Sequence, residues 1–173
     1  LMAGQLVQVA TETVSSSVSS VTLTGIDSDD AYMVAFSNFT TDSGTAINGR
    51  FTESGVENST ANYDMASKRL LSTTTFGNMY AVNQTQFVGE TFLSSVLNTT
   101  APVNGIFYIY NANNSSEDTY ITWEQSGLYS GGGITLGNQG GGIFTVQSQV
   151  DGFKWATNTG NIASGTFTLY KVV

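Results

Sequence analysis

The sequence predicts an all-β protein, an antiparallel β-sandwich or barrel, and three observations carry that expectation. Apolar and polar residues alternate with a period of two in run after run. Charged residues make up only 10% of the 173 residues, so Thr, Ser, Asn and Gly supply the polar positions. Those are strand and turn formers, whereas the strong helix formers Lys, Arg and Glu are scarce. Turn clusters separate the apolar runs at intervals of about a dozen residues, the rhythm of a sandwich or barrel.

From the first residue, Leu1 to Val14 is β-prone but short. It reads as an N-terminal strand or exposed arm (1–14), leaving 15–173 as a single domain. Ser20 to Ile26 sets Val21 and Leu23 between Thr22 and Thr24, a half-buried strand. Asp27-Ser28-Asp29-Asp30 is a turn. Ala31 to Phe36 places Tyr32, Val34 and Phe36 on one face and Met33 on the other. Asn58 to Leu71 has room for one helical turn capped by Asn58 or Ser59, although its apolar residues hold no 3.6 period. Pro102, the single proline, precedes a strand starting near Gly105, where no ladder donor is lost. Ile106 to Tyr110 is apolar on both faces, as a strand covered on both sides would be.

Asn111 to Ser116 and Asn158 to Asn161 are further turns, and Tyr120 to Trp123 is a further strand. The glycine-rich stretch Gly127 to Gly142 reads as a loop, or as backbone packed closely against a neighbouring subunit. Ile143 to Val150 and Gly152 to Trp155 are strands. In Gly165 to Val173, Phe167, Leu169 and Val173 alternate with Thr166, Thr168 and Tyr170, which predicts a central strand.

The net charge is −8, with five basic residues: Arg50, Lys68, Arg69, Lys154 and Lys171. Such a chain repels nucleic acid and anionic lipid, so neither is an expected partner. Cysteine and histidine are both absent. That removes disulfides, catalytic thiols and cysteine zinc sites, and with histidine goes the commonest general base. Leu1 to Ala10 has neither the basic flank nor the apolar stretch of a signal peptide. No run approaches the roughly 20 apolar residues of a membrane-spanning helix. Synthesis in a reducing cytoplasm suits this set.

Candidate chemistry is sparse. No Gly-x-Ser-x-Gly elbow or phosphate-binding glycine motif occurs. Two-carboxylate glycoside hydrolysis would need pairs such as Glu53 with Glu57, Glu117 with Asp118, or Glu124 beside Trp123. Glu53 and Glu57 flank a turn at Gly55, Glu117 and Asp118 sit in a solvated loop, and Trp123 lies on the face opposite Glu124. No enzyme is expected, and no cofactor. Asp27, Asp29 and Asp30 are the one candidate for calcium, a hard cation that takes oxygen ligands. The six Asn-x-Ser/Thr sequons, beginning at Asn38, fit chance in so Asn- and Thr-rich a chain. Phe39, Tyr63 and Tyr129 fall in loop-like sequence and are candidate interface or ligand contacts.

Several segments resemble small virion proteins of marine tailed bacteriophages. They are Ser19 to Ser28 (SSVTLTGIDS), Tyr32-Met33-Val34 before Phe36-Ser37-Asn38, Asn62-Tyr63-Asp64, Gly105 to Asn111 (GIFYIYN) and Gly160 to Tyr170. The resemblance implies a jelly-roll-like antiparallel β-sandwich with no catalytic residues. It further implies a virion structural protein decorating the outside of a phage head as a homo-oligomer, a trimer, in contact with the major capsid protein. The alternative it implies is a tail-fibre or receptor-binding tip that recognises host surface carbohydrate.

Overall fold

A computed structural model describes residues 4–72, 76–92, 100, 102–129 and 134–173. The strands, in chain order, are β1 (Leu6–Val14), β2 (Ser20–Thr24), β3 (Tyr32–Thr41), β4 (Ile47–Glu53), β5 (Val56–Glu57), β6 (Tyr63–Leu71), β7 (Gly77–Gln84), β8 (Val103–Tyr110), β9 (Thr119–Tyr129), β10 (Ile134–Phe144), β11 (Gly152–Thr157) and β12 (Ile162–Val172). One helical turn, α1 (Gly89–Phe92), follows β7. Every strand pairing is antiparallel.

The pairings are nested. β1 pairs β12, β2 pairs β11, β3 pairs β8 and β4 pairs β5. Rolling that long double strand brings β12 against β3 and β11 against β4. The result is the jelly roll, an antiparallel sandwich of a four-stranded sheet (β2-β11-β4-β5) and the first half of an eight-stranded one. The larger sheet, ordered β1-β12-β3-β8-β9-β10-β6-β7, owes its second half to two insertions. The hairpin β9–β10 continues from β8, and the hairpin β6–β7 adds beyond β10.

The core lies where the two sheets face each other, and the period of two explains who fills it. Val21 and Leu23 of β2, Phe51 of β4, and Phe153 and Trp155 of β11 point inward from the small sheet. Tyr32, Val34 and Phe36 of β3, Phe107 and Ile109 of β8, and Phe167 and Leu169 of β12 meet them from the large one. Rings touch across the interface: Phe107 and Phe153 have centroids 4.8 Å apart, and Trp155 and Phe167 5.1 Å. Burying each such ring contributes roughly 1.5–3 kcal/mol. The inner face of the inserted half is closed by Phe87 and Phe92 beside α1, both fully buried, with Phe92 edge-on to Trp123 at 5.2 Å. Phe87 is tied down by two backbone hydrogen bonds to Gly49 of β4.

Four expectations need correction. The stretch around Asn58 to Leu71 holds strand β6, not a helical turn: Tyr63 and Met65 point inward while Ala66 and Lys68 point out. The same face continues as Ser67 and Arg69, so apolarity fades along it and hides the alternation. Of the glycine-rich stretch, 127–129 end β9, 130–133 lie outside the described residues, and 134–142 belong to β10, paired to β9 on one side and, from Leu136, to β6 on the other. Gly140 and Gly142 are glycines because rings occupy the space: a Cβ on Gly140 would collide with the Trp123 ring, and one on Gly142 would sit 2.7 Å from the Phe87 ring. That is the close-packing reason for glycine, acting within this chain. Strand structure after Ile143 stops at Phe144, and 145–150 runs on as a connection. Finally, β8 is covered on one face only: Phe107 and Ile109 are buried, whereas Ile106, Tyr108 and Tyr110 face outward.

Candidate functional site

The acidic turn after β2 already has its cation. Lys171 of β12 places its Nζ 2.9 Å from Asp30 and 3.4 Å from Asp27. The Tyr32 hydroxyl donates to Asp27 at 2.9 Å, and Asn114 Nδ2 donates to Asp29 at 3.0 Å. The Tyr32 hydrogen bond and the Lys171 ammonium hold the Asp27 carboxyl below the usual carboxylate range; Lys171 and the Ser28 hydroxyl do the same for Asp30. The proposed calcium ligands therefore divide between a lysine and an asparagine. Among the described residues no three acidic side chains converge as a metal site.

Two of the three aromatic contact candidates are core residues, which corrects the expectation. Phe39 is fully buried, with its ring 4.9 Å from Phe167. Asn38 takes a left-handed backbone (φ 53°), and the register shifts between Phe36 and Phe39, so both phenylalanines reach the interior. Tyr63 is also fully buried. Its hydroxyl donates to the Asn58 carbonyl at 2.8 Å and accepts the Phe51 N–H at 3.2 Å, and burial pushes its phenol pKa up. Tyr129 closes β9, and its side chain lies outside the described residues.

The paired acids do not form a cleft. Glu57 binds Arg50 at 2.8 Å and Lys154 at 3.0 Å. Glu53 accepts hydrogen bonds from Asn58 and Ser148. Glu117 and Asp118 sit on the connection before β9, and Glu124 stands on the outer face of the large sheet, where Gln139 donates to it at 3.3 Å.

Sequence reasoning missed two surfaces. The first consists of the sheet edges. Among the described residues, large exposed apolar side chains gather on the outermost strands: Leu6 and Val7 on β1 with Val173 beside them, Tyr80 and Val82 on β7 with Phe76 just before it, and Val56 on β5. β7 carries no charged residue and no proline, the devices that normally guard an edge, and Tyr80 is 79% exposed. β1 is partly guarded, by Glu12 and a register shift between Gln8 and Ala10. The second surface is the outward face of β8, β9 and β10. Tyr108 and Tyr110 stand on it with rings 6.4 Å apart and 22° between planes, and Tyr120 pairs across from Tyr110. Alongside runs a trough made of two adjoining depressions of about 670 and 280 Å³ that share Ile106 and Glu124. Gly137 opens its floor on one side, and Gln139, Ser126 and Asn104 line it. The alternation Ile106-Tyr108-Tyr110 was the available signal, but an apolar outward face looks the same in sequence as a covered one.

No family model matches the chain, and no curated protein matches it. The resemblance to phage virion proteins therefore rests on its strand-and-turn motifs alone. A solved structure of T=1 particles derived from infectious bursal virus aligns with 99% of this chain at 9% identity and a TM-score of 0.13. The chain spans 40% of that protein's length, and a likeness so slight carries no argument about fold or function.

Proposed function

We propose that this chain is a virion structural protein that assembles with copies of itself, decorating the outside of a phage head. The observation that carries the reading is the bare edge strand β7, with Tyr80, Val82 and Phe76 turned to solvent. Unpaired edges with apolar side chains are templates for pairing with another chain, and a protein that keeps them has a use for them. The opposite edge, β1, offers Leu6 and Val7 and carries Glu12, while β7 lies beside Lys68 and Arg69 of β6. Two different edges of one sheet make a head-to-tail contact, and such contacts form a ring when the rotation between copies closes and a filament when it does not. A trimer is the ring we propose, seated on the major capsid protein and made in the host cytoplasm.

The acid pair that glycoside hydrolysis would need is committed elsewhere: Glu53 and Glu57 are occupied in structural bonds. Gold-labelled antibody against the chain, applied to intact particles, tests the reading. Regular labelling over the head surface is expected. Unlabelled particles that also lack the chain by mass spectrometry would overturn it. The second reading, a host-recognising tip, draws on the outward tyrosines and would show as label confined to the tail.

A further inference from the structure

We propose that the outer face of β8, β9 and β10 binds a neutral oligosaccharide, with Tyr108, Tyr110 and Tyr120 as a stacking row and the trough, which begins at Tyr108 and runs away from Tyr110 and Tyr120, continuing the site. The inference holds wherever on a particle the chain sits, because the site is built entirely within one copy.

The chemistry of the lining selects the ligand. Sugars present apolar C–H faces and a rim of hydroxyls, so they are held by aromatic rings flanked by small hydrogen-bonding side chains. Tyr110 and Tyr120 are 37% and 46% exposed and sit directly opposite each other on neighbouring strands. Tyr108 lies one pleat along from Tyr110, with its ring nearly parallel. None of the three hydroxyls bonds another described residue, so all three are free to meet hydroxyls of a ligand. A phenol offers a stacking face together with a hydroxyl that can both donate and accept.

Charge narrows the class further. Among the described residues that line the trough, Glu124 is the one charged side chain. An anionic polysaccharide or a nucleic acid would meet a carboxylate and an overall charge of −8. A neutral sugar meets a carboxylate–amide pair, Glu124 with Gln139, which can accept and donate at adjacent points. The two depressions adjoin, since Ile106 and Glu124 line both. The floor of the trough is smooth because the outward positions of this region include Gly137, Gly141 and Ala35, with little side chain to block a chain molecule lying across them.

The test is isothermal titration of the isolated protein with hexasaccharides of glucose, mannose, galactose and N-acetylglucosamine. At least one should bind with a Kd on the order of 1 mM or below. Tyr110→Ala and Tyr120→Ala should each weaken that binding roughly tenfold, and Tyr110→Phe, which keeps the ring, by no more than about threefold. These side chains point away from the core, so circular dichroism should be unchanged. Failure of every sugar to bind overturns the proposal, as does binding that the alanine variants leave intact. If the alanine variants instead lower the sedimenting mass and the wild type binds no sugar, the face is a contact between copies and the proposal falls. Particle labelling plays no part in this experiment, so its outcome and that of the virion reading are separate.

Discussion

Glu57 holds two of the five basic residues at once, Arg50 of the neighbouring strand β4 and Lys154 of β11 beyond it, and so ties three strands of the small sheet together. The Arg50 guanidinium, with Lys154 second, keeps its carboxyl below the ordinary value of 4.5 against an opposing push from partial burial. A carboxyl lowered in the folded state stabilises the fold fully above its unfolded pKa, and loses that contribution as the pH falls through its lowered value. Glu57→Gln should therefore destabilise the protein at pH 7 by about 0.2–1 kcal/mol, a modest amount because each partner keeps a quarter to a third of its surface in water. The difference from wild type should shrink steadily in acid below pH 4.5. Urea unfolding at pH 7 and at pH 3 checks this, and an equal gap at both would contradict it. Phe39 and Tyr63 carry the other lesson at this scale. Both read as surface anchors, and both are core. One left-handed asparagine turned Phe39 inward, and the hydroxyl of Tyr63 was satisfied by backbone groups twelve and five positions away, in β4 and in the connection before β6, neither of which composition displays.

Strands whose two faces differ in chemistry were legible. β2, β11 and β12 alternate cleanly because one face of each meets the core, and β12 lies between β1 and β3 as its pattern predicted. β6 and β10 were not legible, because their inward faces hold Ser67, Arg69, Gly140 and Gly142 where a core strand would show branched side chains. In β10 the missing side chains are replaced by rings from elsewhere in the chain, Trp123 and Phe87, and no local pattern announces a ring that arrives from another strand. This account separates the two faces of one strand. Gly142→Ala should cost roughly 1–3 kcal/mol, since its Cβ would lie 2.7 Å from the Phe87 ring and 2.8 Å from the Asp64 carbonyl. Gly141→Ala, one residue away on the outward face, has its nearest neighbour at 3.4 Å and should stay within about 0.5 kcal/mol of wild type. Thermal melts of the two variants decide the point; equal losses would mean that the inward packing is misassigned.

Across the whole molecule, the jelly roll accounts for residues at both ends and the middle of the chain, and the inserted hairpins widen one sheet well beyond the other. That widening bears on the two surfaces on which the proposals rest. It moves an edge, β7, away from the cover of the small sheet, and it lays open a broad outward face carrying Tyr108, Tyr110 and Tyr120. All-β architecture was readable from composition and period, whereas edges and open faces were not, because they depend on which strands end up outermost. The claim that depends most on that arrangement is self-assembly through the bare edge. Sedimentation velocity at about 100 μM, comparing wild type with the double variant Tyr80→Lys and Val82→Lys, tests it directly. Charged edge positions block strand addition without touching the core, so the account predicts a trimer for the wild type and a folded monomer for the variant. A wild type that sediments as a monomer, or a variant that assembles as well as the wild type, would contradict it.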